Sequence, residues 1–283
     1  MTKNKLDTRS IGLDVGVKLM QWLTGTENLH YGLWTGIDVN AGNVGRAQTA
    51  YTDKLFERLP KGKLRILDIG GGAGVTAGKL LALGHSVEIV VPSEVLAERC
   101  RANAVGATVY VMGFEDFQSD HTFDLCLFSE SFQYIDMGVS LPKCVSMLGQ
   151  NGQILIADCF RSDAFVHEDL NPKVGGGHPL SDFDQIIEKL GLTEEGREDI
   201  TEAVAPSVDI EQELFNVLGF GLTRIGAELQ AKKPRARWIL DKVIGLVMNE
   251  RKRKRLDLRL NGNLRTAEVF CHNNRYIITV LKP

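Results

Sequence analysis

The segment Ile66–Gly74 constrains the fold of this 283-residue chain more than any other. It reads Ile-Leu-Asp-Ile-Gly-Gly-Gly-Ala-Gly, so an apolar run ends in a dense glycine turn, and helix-like spacing follows from Val75 to Leu83. Glycine is the residue of choice where the backbone needs a positive φ or where a ligand approaches the main chain closely. Backbone N–H groups at the start of the following helix are available to a polar or anionic ligand. The segment therefore predicts a strand, a turn and a helix that together bind a nucleotide-like ligand.

The spacing of the turn is Asp-x-Gly-x-Gly-x-Gly, formed by Asp68, Gly70, Gly72 and Gly74. The alternative pattern is the dinucleotide fingerprint Gly-x-Gly-x-x-Gly, which these glycines do not keep cleanly. The aspartate two residues before the first glycine also argues against that alternative.

Apolar runs alternate with helical stretches along the middle of the chain. Fully apolar strands that alternate with helices are typical of a parallel sheet covered on both faces. The five central strand candidates are Arg65–Ile69, Ser86–Val91, Thr108–Val111, Leu125–Ser129 and Gln153–Ala157. Leu192–Ile200 is a candidate sixth strand, and Arg275–Leu281 has the β propensity of a seventh.

Helical spacing is also found at both ends of this alternating region. Residues 11–30 and Asn43–Leu59 each carry apolar positions on one face. Residues 203–267 interrupt the order before the last strand, and they contain the helical stretches Ile210–Leu218, Ile225–Leu229 and Trp238–Asn249. An insertion of this size can cover the carboxyl edge of the sheet, where ligands of open α/β folds bind.

Composition excludes several classes of protein. The net charge of −3 gives no general reason to expect a nucleic acid or an anionic membrane as partner. The five cysteines are scattered without Cys-x-x-Cys spacing, which predicts buried thiols and neither a disulfide frame nor a metal site. No apolar run has transmembrane length, and Met1–Ser10 lacks the apolar core of a signal peptide. We therefore expect a cytoplasmic protein.

Several motifs together resemble one enzyme family. His30-Tyr31-Gly32-Leu33-Trp34 precedes the glycine turn, Phe123-Asp124 opens the fourth strand and Ser129-Glu130-Ser131 ends it. Further matching segments are Leu148–Asp158 and Glu198–Pro206. The set resembles class I S-adenosylmethionine (SAM)-dependent methyltransferases that act on small molecules, the group with the His-Tyr-Gly-x-Trp motif. This group includes sterol and tocopherol C-methyltransferases, sugar O-methyltransferases and cyclopropane synthases.

The resemblance implies a doubly wound, mostly parallel, seven-stranded Rossmann-like sheet with a helical cap inserted before the last strand. Residues 1–60 would form helices that cover the cofactor site, and residues 61–202 the SAM-binding core. Residues 203–267 would form the substrate cap, and residues 268–283 the last strand. The implied reaction moves a methyl group from SAM to a small, largely apolar acceptor, at carbon, oxygen or nitrogen, in specialised metabolism. S-adenosylhomocysteine would be the product, and neither a nucleic acid nor an integral membrane contact is expected, whereas a homodimer is left open.

The resemblance also implies which residues contact the cofactor. They are Tyr31, Trp34, Asp68, Gly70, Gly72, Gly74, Ser93, Phe114, Glu115 and Ser129. The aromatic residues would cover the methionine end, although the plain alternative is that they are core residues. The family usually has an acid at the end of the second strand for the ribose hydroxyls. Here Val91 and Pro92 stand there, which leaves Ser93 or Glu94 as the nearest substitute.

Three residues are candidates for catalysis. Glu130 ends a buried strand at the expected crevice, where it either takes part in the chemistry or binds loop N–H groups. Tyr134 lies near the position at which many sugar O-methyltransferases have a histidine base. His178 follows three glycines and is either a base over the substrate or an exposed loop residue.

Three alternatives to methyl transfer remain open, and one of them is a non-catalytic binding protein. The absent ribose acid and histidine base would fit a SAM-binding cyclase or isomerase that keeps its cofactor intact. Glu130 and two basic stretches, Lys232–Arg237 and Arg251–Arg255, would fit a cyclopropane-type lipid synthase. The basic stretches are either solvated helix ends or attract an anionic substrate, carrier or lipid surface.

Overall fold

The computed structural model describes residues 8–165 and 175–283. A seven-stranded sheet forms its centre. The strands are β1 (Arg65–Ile69), β2 (Ser86–Val91), β3 (Thr108–Val111), β4 (Phe123–Ser129), β5 (Leu148–Arg161), β6 (Thr193–Asp199) and β7 (Asn274–Lys282). Their order is β3-β2-β1-β4-β5-β7-β6, and only β7 runs antiparallel to its neighbours. The predicted doubly wound, mostly parallel sheet is confirmed.

Helices flank and extend the sheet. Those of the described residues are α1 (Thr8–Thr24), α2 (Val44–Phe56), α3 (Val75–Ala82), α4 (Glu94–Asn103), α5 (Met137–Met147), α6 (Leu180–Leu190), α7 (Thr201–Val204), α8 (Pro206–Lys232), α9 (Pro234–Val247), α10 (Glu250–Asn261) and α11 (Ala267–Asn273). None of them is both long and apolar enough to cross a bilayer.

Alternate strand residues pack into two separate cores, because successive side chains of a strand point to opposite faces. Ile66 and Leu125 belong to the core beneath α2, α3 and α4. Leu67 and Cys126 belong to the core beneath α5 and α6. Burial on both faces explains why the central strands read as continuous apolar runs.

The late insertion is helical, as predicted, but its first helix is continuous. The expected break between Leu218 and Ile225 is absent, and α8 runs through Gly219 and Gly221. Gly219 lets α10 approach, since a Cβ at residue 219 would lie 2.3 Å from the carbonyl oxygen of Leu260. A glycine that disfavours a helix in isolation therefore marks a close helix contact here.

Two segment boundaries differ from the sequence expectation. The expected last strand from residue 268 begins as a helix, because the side chain of Thr266 caps α11 by accepting from the N–H of Val269 at 3.2 Å. The first helix ends at Thr24, well before residue 30. The five cysteines are all free thiols, and only Cys271 is partly exposed.

Candidate active site

The glycine turn joins β1 to α3 at the carboxyl edge of the sheet. Gly70, Gly72 and Gly74 have φ angles of 75°, 55° and 81°, in the left-handed region that favours glycine. The N–H of Gly70 donates to the carbonyl of Val90 at 2.8 Å, which ties the turn to β2. A Cβ at residue 74 would lie 2.7 Å from the Cα of Cys100 in α4. The turn therefore requires glycine both for its backbone angles and for helix packing.

Asp68 lies under this turn. Its side chain is buried, and its Oδ2 has no hydrogen-bond partner in the described chain. A Cβ at Gly71 would lie 2.5 Å from that oxygen, so the carboxyl fills the space beneath the turn. Burial raises the pKa of Asp68 to about 7. A buried acceptor without a partner is unfavourable, and the N–H or ammonium group of a ligand would satisfy it. These residues fit a cofactor such as SAM.

Glu130 lies directly after β4, in a left-handed conformation with a φ of 56°. Such a φ is uncommon for a residue other than glycine and marks a position fixed by its surroundings. Its Oε1 accepts a hydrogen bond from the N–H of Tyr31 at 2.7 Å and another from the hydroxyl of Tyr276 at 2.9 Å. Burial raises the pKa of Glu130 to about 8, although both hydrogen bonds oppose that rise.

The hydrogen bonds of Glu130 continue into α2. The hydroxyl of Tyr276 lies 2.8 Å from that of Tyr51, and the Tyr51 hydroxyl lies 3.2 Å from Oγ of Ser129. Burial raises the pKa of both tyrosines, so their hydroxyls stay protonated and act as donors. Ser129, Tyr51, Tyr276 and Glu130 form one continuous hydrogen-bonded chain.

The segment 30–34 closes one side of this network. The ring of His30 stacks on Tyr51 with centroids 4.5 Å apart, and burial lowers the pKa of His30 to about 4. Trp34 is buried, and its Nε1 donates to Oγ of Ser207 in α8 at 2.8 Å. The ring of Tyr31 packs edge-on against Phe270 at 5.8 Å. The segment thus connects the sheet edge to the base of the cap.

Asp158 is a second fully buried carboxyl beside Asp68, and it lies on the neighbouring strand β5. It accepts from the N–H of Gln133 at 3.1 Å, and burial raises its pKa to about 7. It therefore anchors the short turn Phe132–Tyr134 that follows Glu130.

His178 and Tyr134 lie around this same turn. Nε2 of His178 is 2.8 Å from the carbonyl oxygen of Ile135 and 3.2 Å from that of Phe132. Since both neighbours only accept, Nε2 carries the ring proton and donates to them. The side chain of Tyr134 is 60% exposed.

The other residues that were predicted to contact the cofactor, Ser93, Phe114 and Glu115, lie outside the Glu130 hydrogen-bond network. Ser93 caps α4, with its Oγ accepting from the N–H of Leu96 at 3.4 Å. Val91 is buried, and Glu94 forms an ion pair with Arg101 at 2.9 Å. Phe114 is buried against Phe117 and Phe128, whereas Glu115 is exposed. The structure therefore places no carboxylate at the end of β2 itself.

Sequence reasoning missed Tyr51 and Tyr276. Tyr51 lies on the apolar face of α2 and Tyr276 inside an apolar strand, so both read as core residues. The one available signal is the hydroxyl itself, because a buried tyrosine hydroxyl usually has a hydrogen-bond partner.

A cleft of about 740 Å³ lies between the 30–34 segment, the end of β6 and the start of β7. Its lining is Leu33, Thr35, Lys54, Glu198, Asp199, Ile200, Thr201, Glu202, Ala203, Cys271 and Arg275. Within residues 8–165 and 175–283, no group of three His, Cys, Asp or Glu side chains is placed to hold a metal ion.

Comparison with known proteins gives matches at the level of domain and fold. Residues 67–156 match the family described as a methyltransferase domain. A ubiquinone biosynthesis O-methyltransferase of Bradyrhizobium diazoefficiens is 31% identical over 106 residues, which cover 36% of this chain and 42% of that protein. The match thus spans less than half the length of that curated relative.

Two solved structures share the fold over nearly the whole chain. The [4+2]-cyclase SpnF is 15% identical with a TM-score of 0.65, over 96% of this chain and 94% of the other. The mycolic acid cyclopropane synthase CmaA1, complexed with S-adenosylhomocysteine and CTAB, is 16% identical with a TM-score of 0.65, over 96% and 98%.

Proposed function

We propose that this chain, which contains a class I SAM-dependent methyltransferase domain, transfers the methyl group of SAM to a small, largely apolar organic acceptor. The observation that carries the proposal is the half-buried Glu130 at the carboxyl edge of the sheet, hydrogen-bonded to Tyr31 and Tyr276 beside the glycine turn. An ionisable group with a strongly raised pKa, at the edge where ligands of this fold class bind, is a candidate for catalysis.

SAM, when bound, supplies an electrophilic methyl group on a positively charged sulfur. Asp68 and the glycines at positions 70, 72 and 74 would hold the cofactor, because Oδ2 of Asp68 is a buried acceptor without a hydrogen-bond partner among the described residues. Tyr31 and Ser129 lie beside Glu130 and would contact the end that carries the methyl group.

Glu130 is suited to two tasks at one position. With a pKa of about 8 it carries a proton at neutral pH, and a nearby positive charge favours its carboxylate form. As a carboxylate it can accept a proton from the acceptor or stabilise positive charge that develops on it. The Tyr276 hydroxyl holds the orientation of Oε1, and Tyr276 is therefore a positioning residue.

An apolar acceptor is supported by the walls around Glu130. The ring centroid of Tyr31 lies 5.8 Å from that of Phe270 and 6.2 Å from that of Tyr276. Aromatic walls with a few placed polar groups are typical of small-molecule sites. The proposal also includes carbon, oxygen or nitrogen as the acceptor atom, a role in specialised metabolism and a cytoplasmic location.

The test combines a transfer assay with a binding assay. SAM carrying a labelled methyl group is incubated with a panel of hydroxylated, amine and alkene acceptors, and S-adenosylhomocysteine binding is measured by calorimetry. We expect Glu130→Gln to lower transfer at least about 100-fold while it keeps binding, since general acid–base groups contribute about 10²–10⁴-fold. Asp68→Asn should weaken binding, and Glu98→Gln, an exposed change on α4, should alter neither. Absence of binding by the folded wild type would refute the proposal.

A second candidate is a SAM-binding cyclase or isomerase of the same fold. It is favoured by Val91 at the end of β2, where the family usually has the ribose acid. One experiment with labelled SAM separates these functions. If product forms while the labelled SAM stays intact, the cyclase or isomerase is correct. If the label enters a new ring carbon of a lipid chain, the protein is instead a cyclopropane-type lipid synthase.

A further inference from the structure

The cap exposes an unusual share of the apolar surface of this protein. Of the 21 large apolar side chains that are exposed in the described residues, 12 lie between Val217 and Leu264. They are Val217, Leu218, Phe220, Leu222, Ile225, Trp238, Ile239, Leu240, Val243, Leu246, Leu256 and Leu264. Concentrations of exposed apolar residues mark interaction surfaces.

The later part of the cap, which holds α9 and α10, carries a third of the Lys and Arg residues of the chain. Residues 232–259 contain eleven Lys and Arg residues and three Asp and Glu residues, a net charge of +8 in a chain whose net charge is −3. The dense stretch Arg251–Arg255 lies on α10, and all five of its side chains are exposed. The cap is therefore a strongly basic part of an acidic protein.

The helices are arranged so that the apolar side chains stay outside. α10 packs on α8 through Gly219, and Arg253 of α10 forms an ion pair with Asp241 of α9 at 3.7 Å. Asp241 also binds Arg237 within α9 at 3.2 Å. These polar contacts use the inner side of α9. Ile239, Val243 and Leu246, at i, i+4 and i+7, form an outer apolar stripe, and Leu246 is 88% exposed.

We propose that α8, α9 and α10 dock this protein on an anionic lipid surface. The apolar stripe of α9 would enter the boundary between headgroups and acyl chains, as amphipathic interfacial helices do. The basic residues of α10 would contact lipid phosphates, since clusters of four to eight Lys and Arg residues bind anionic lipids. Trp238, with the ammonium of Lys242 5.7 Å from its ring centroid, has the amphipathic character of residues at membrane interfaces.

Charge favours a lipid over the other occupants of this face. A second copy of the chain would bring two 232–259 segments, each of net charge +8, together, and such like charges repel. A nucleic acid would account for the basic residues but not for the outer stripe of Ile239, Val243 and Leu246. An anionic membrane uses both features.

The experiment measures vesicle binding by flotation, with phosphatidylcholine vesicles that either contain or lack phosphatidylglycerol. We expect the wild type to bind only the anionic vesicles and to dissociate as salt rises. The double substitution Lys252→Glu and Lys254→Glu should weaken binding by about tenfold or more. Leu246→Gln should weaken binding even at low salt.

Matched controls lie on the sheet domain. Val105→Gln changes an 82% exposed apolar residue, and Lys61→Glu changes an exposed cation, and neither should alter vesicle binding. S-adenosylhomocysteine binding by calorimetry should be unchanged in every variant, which separates this proposal from the proposed function. Equal binding to neutral vesicles, or no binding to either, would overturn the proposal. A dimer that dissociates on Leu246→Gln would assign the face to a second copy.

Discussion

Replacing Glu130 by Gln should stabilise this protein at neutral and mildly alkaline pH. Burial raises the pKa of Glu130 from an ordinary value of 4.5 to about 8, so the folded chain keeps a proton that the unfolded chain releases over this range. The stability contribution of Glu130 therefore falls as pH rises from about 4.5 to about 8. A glutamine does not titrate, and its Oε1 can still accept from Tyr31 and Tyr276.

The size of the effect follows from the width of this pH window. Each pH unit inside it changes the free energy of unfolding by about 1.4 kcal/mol. Between about pH 5.5 and about pH 7.5, the advantage of Glu130→Gln over the wild type should grow by about 2 to 3 kcal/mol. The raised pKa values of Asp68 and Asp158 are present in both proteins, so their pH dependence cancels to first order in the difference.

The assay is urea unfolding followed by circular dichroism at both pH values. Glu98→Gln replaces an exposed carboxyl on α4, and its difference from the wild type should stay within about 0.5 kcal/mol at each pH. If the Glu130→Gln advantage is the same at both pH values, Glu130 is ionised in the folded protein. The account of the site as a protonated, desolvated carboxyl would then be wrong.

Three further substitutions test other parts of the site. Gly74→Ala should lower the free energy of unfolding by about 2 kcal/mol or more in thermal denaturation, because its φ is 81° and its Cβ would meet Cys100. Gly62→Ala also has a positive φ but open space around it, so it should cost less, about 1 kcal/mol. Tyr276→Phe removes a donor to Glu130 and should raise the pKa of that carboxyl further, which infrared spectroscopy of the carboxyl band against pH would detect. His178→Ala should lower the melting temperature through the lost contact with Ile135, whether or not methyl transfer also slows.

The central sheet was readable from the sequence because its strands are buried on both faces. Arg65–Ile69, Ser86–Val91 and Thr108–Val111 have the predicted bounds. β5 is longer than predicted, Leu148–Arg161, because β7 pairs with its far end from Ile154 to Arg161. Pairing with a strand more than 100 residues away leaves no local pattern, so a strand end of this kind cannot be read from a single segment.

The continuity of α8 was not readable for a similar reason. Gly219 and Gly221 lower intrinsic helix propensity, and sequence alone treats them as a break. Packing of α10 against Gly219 makes the missing side chain favourable, and this contact joins residues about 40 positions apart. Tertiary packing therefore overrides a local preference.

Some features of the candidate site follow from one short segment of sequence, and others depend on contacts between distant segments. Asp68 and the glycines form one short segment, and their spacing alone predicts the turn that the structure contains. Glu130 was predicted as a candidate because it ends a strand, but its hydrogen-bond partners come from residues 31 and 276, about 100 and 146 positions away along the chain. A raised pKa depends on burial by these distant segments. The chemical state of Glu130 is therefore a property of the folded chain, although its position at the sheet edge is encoded locally.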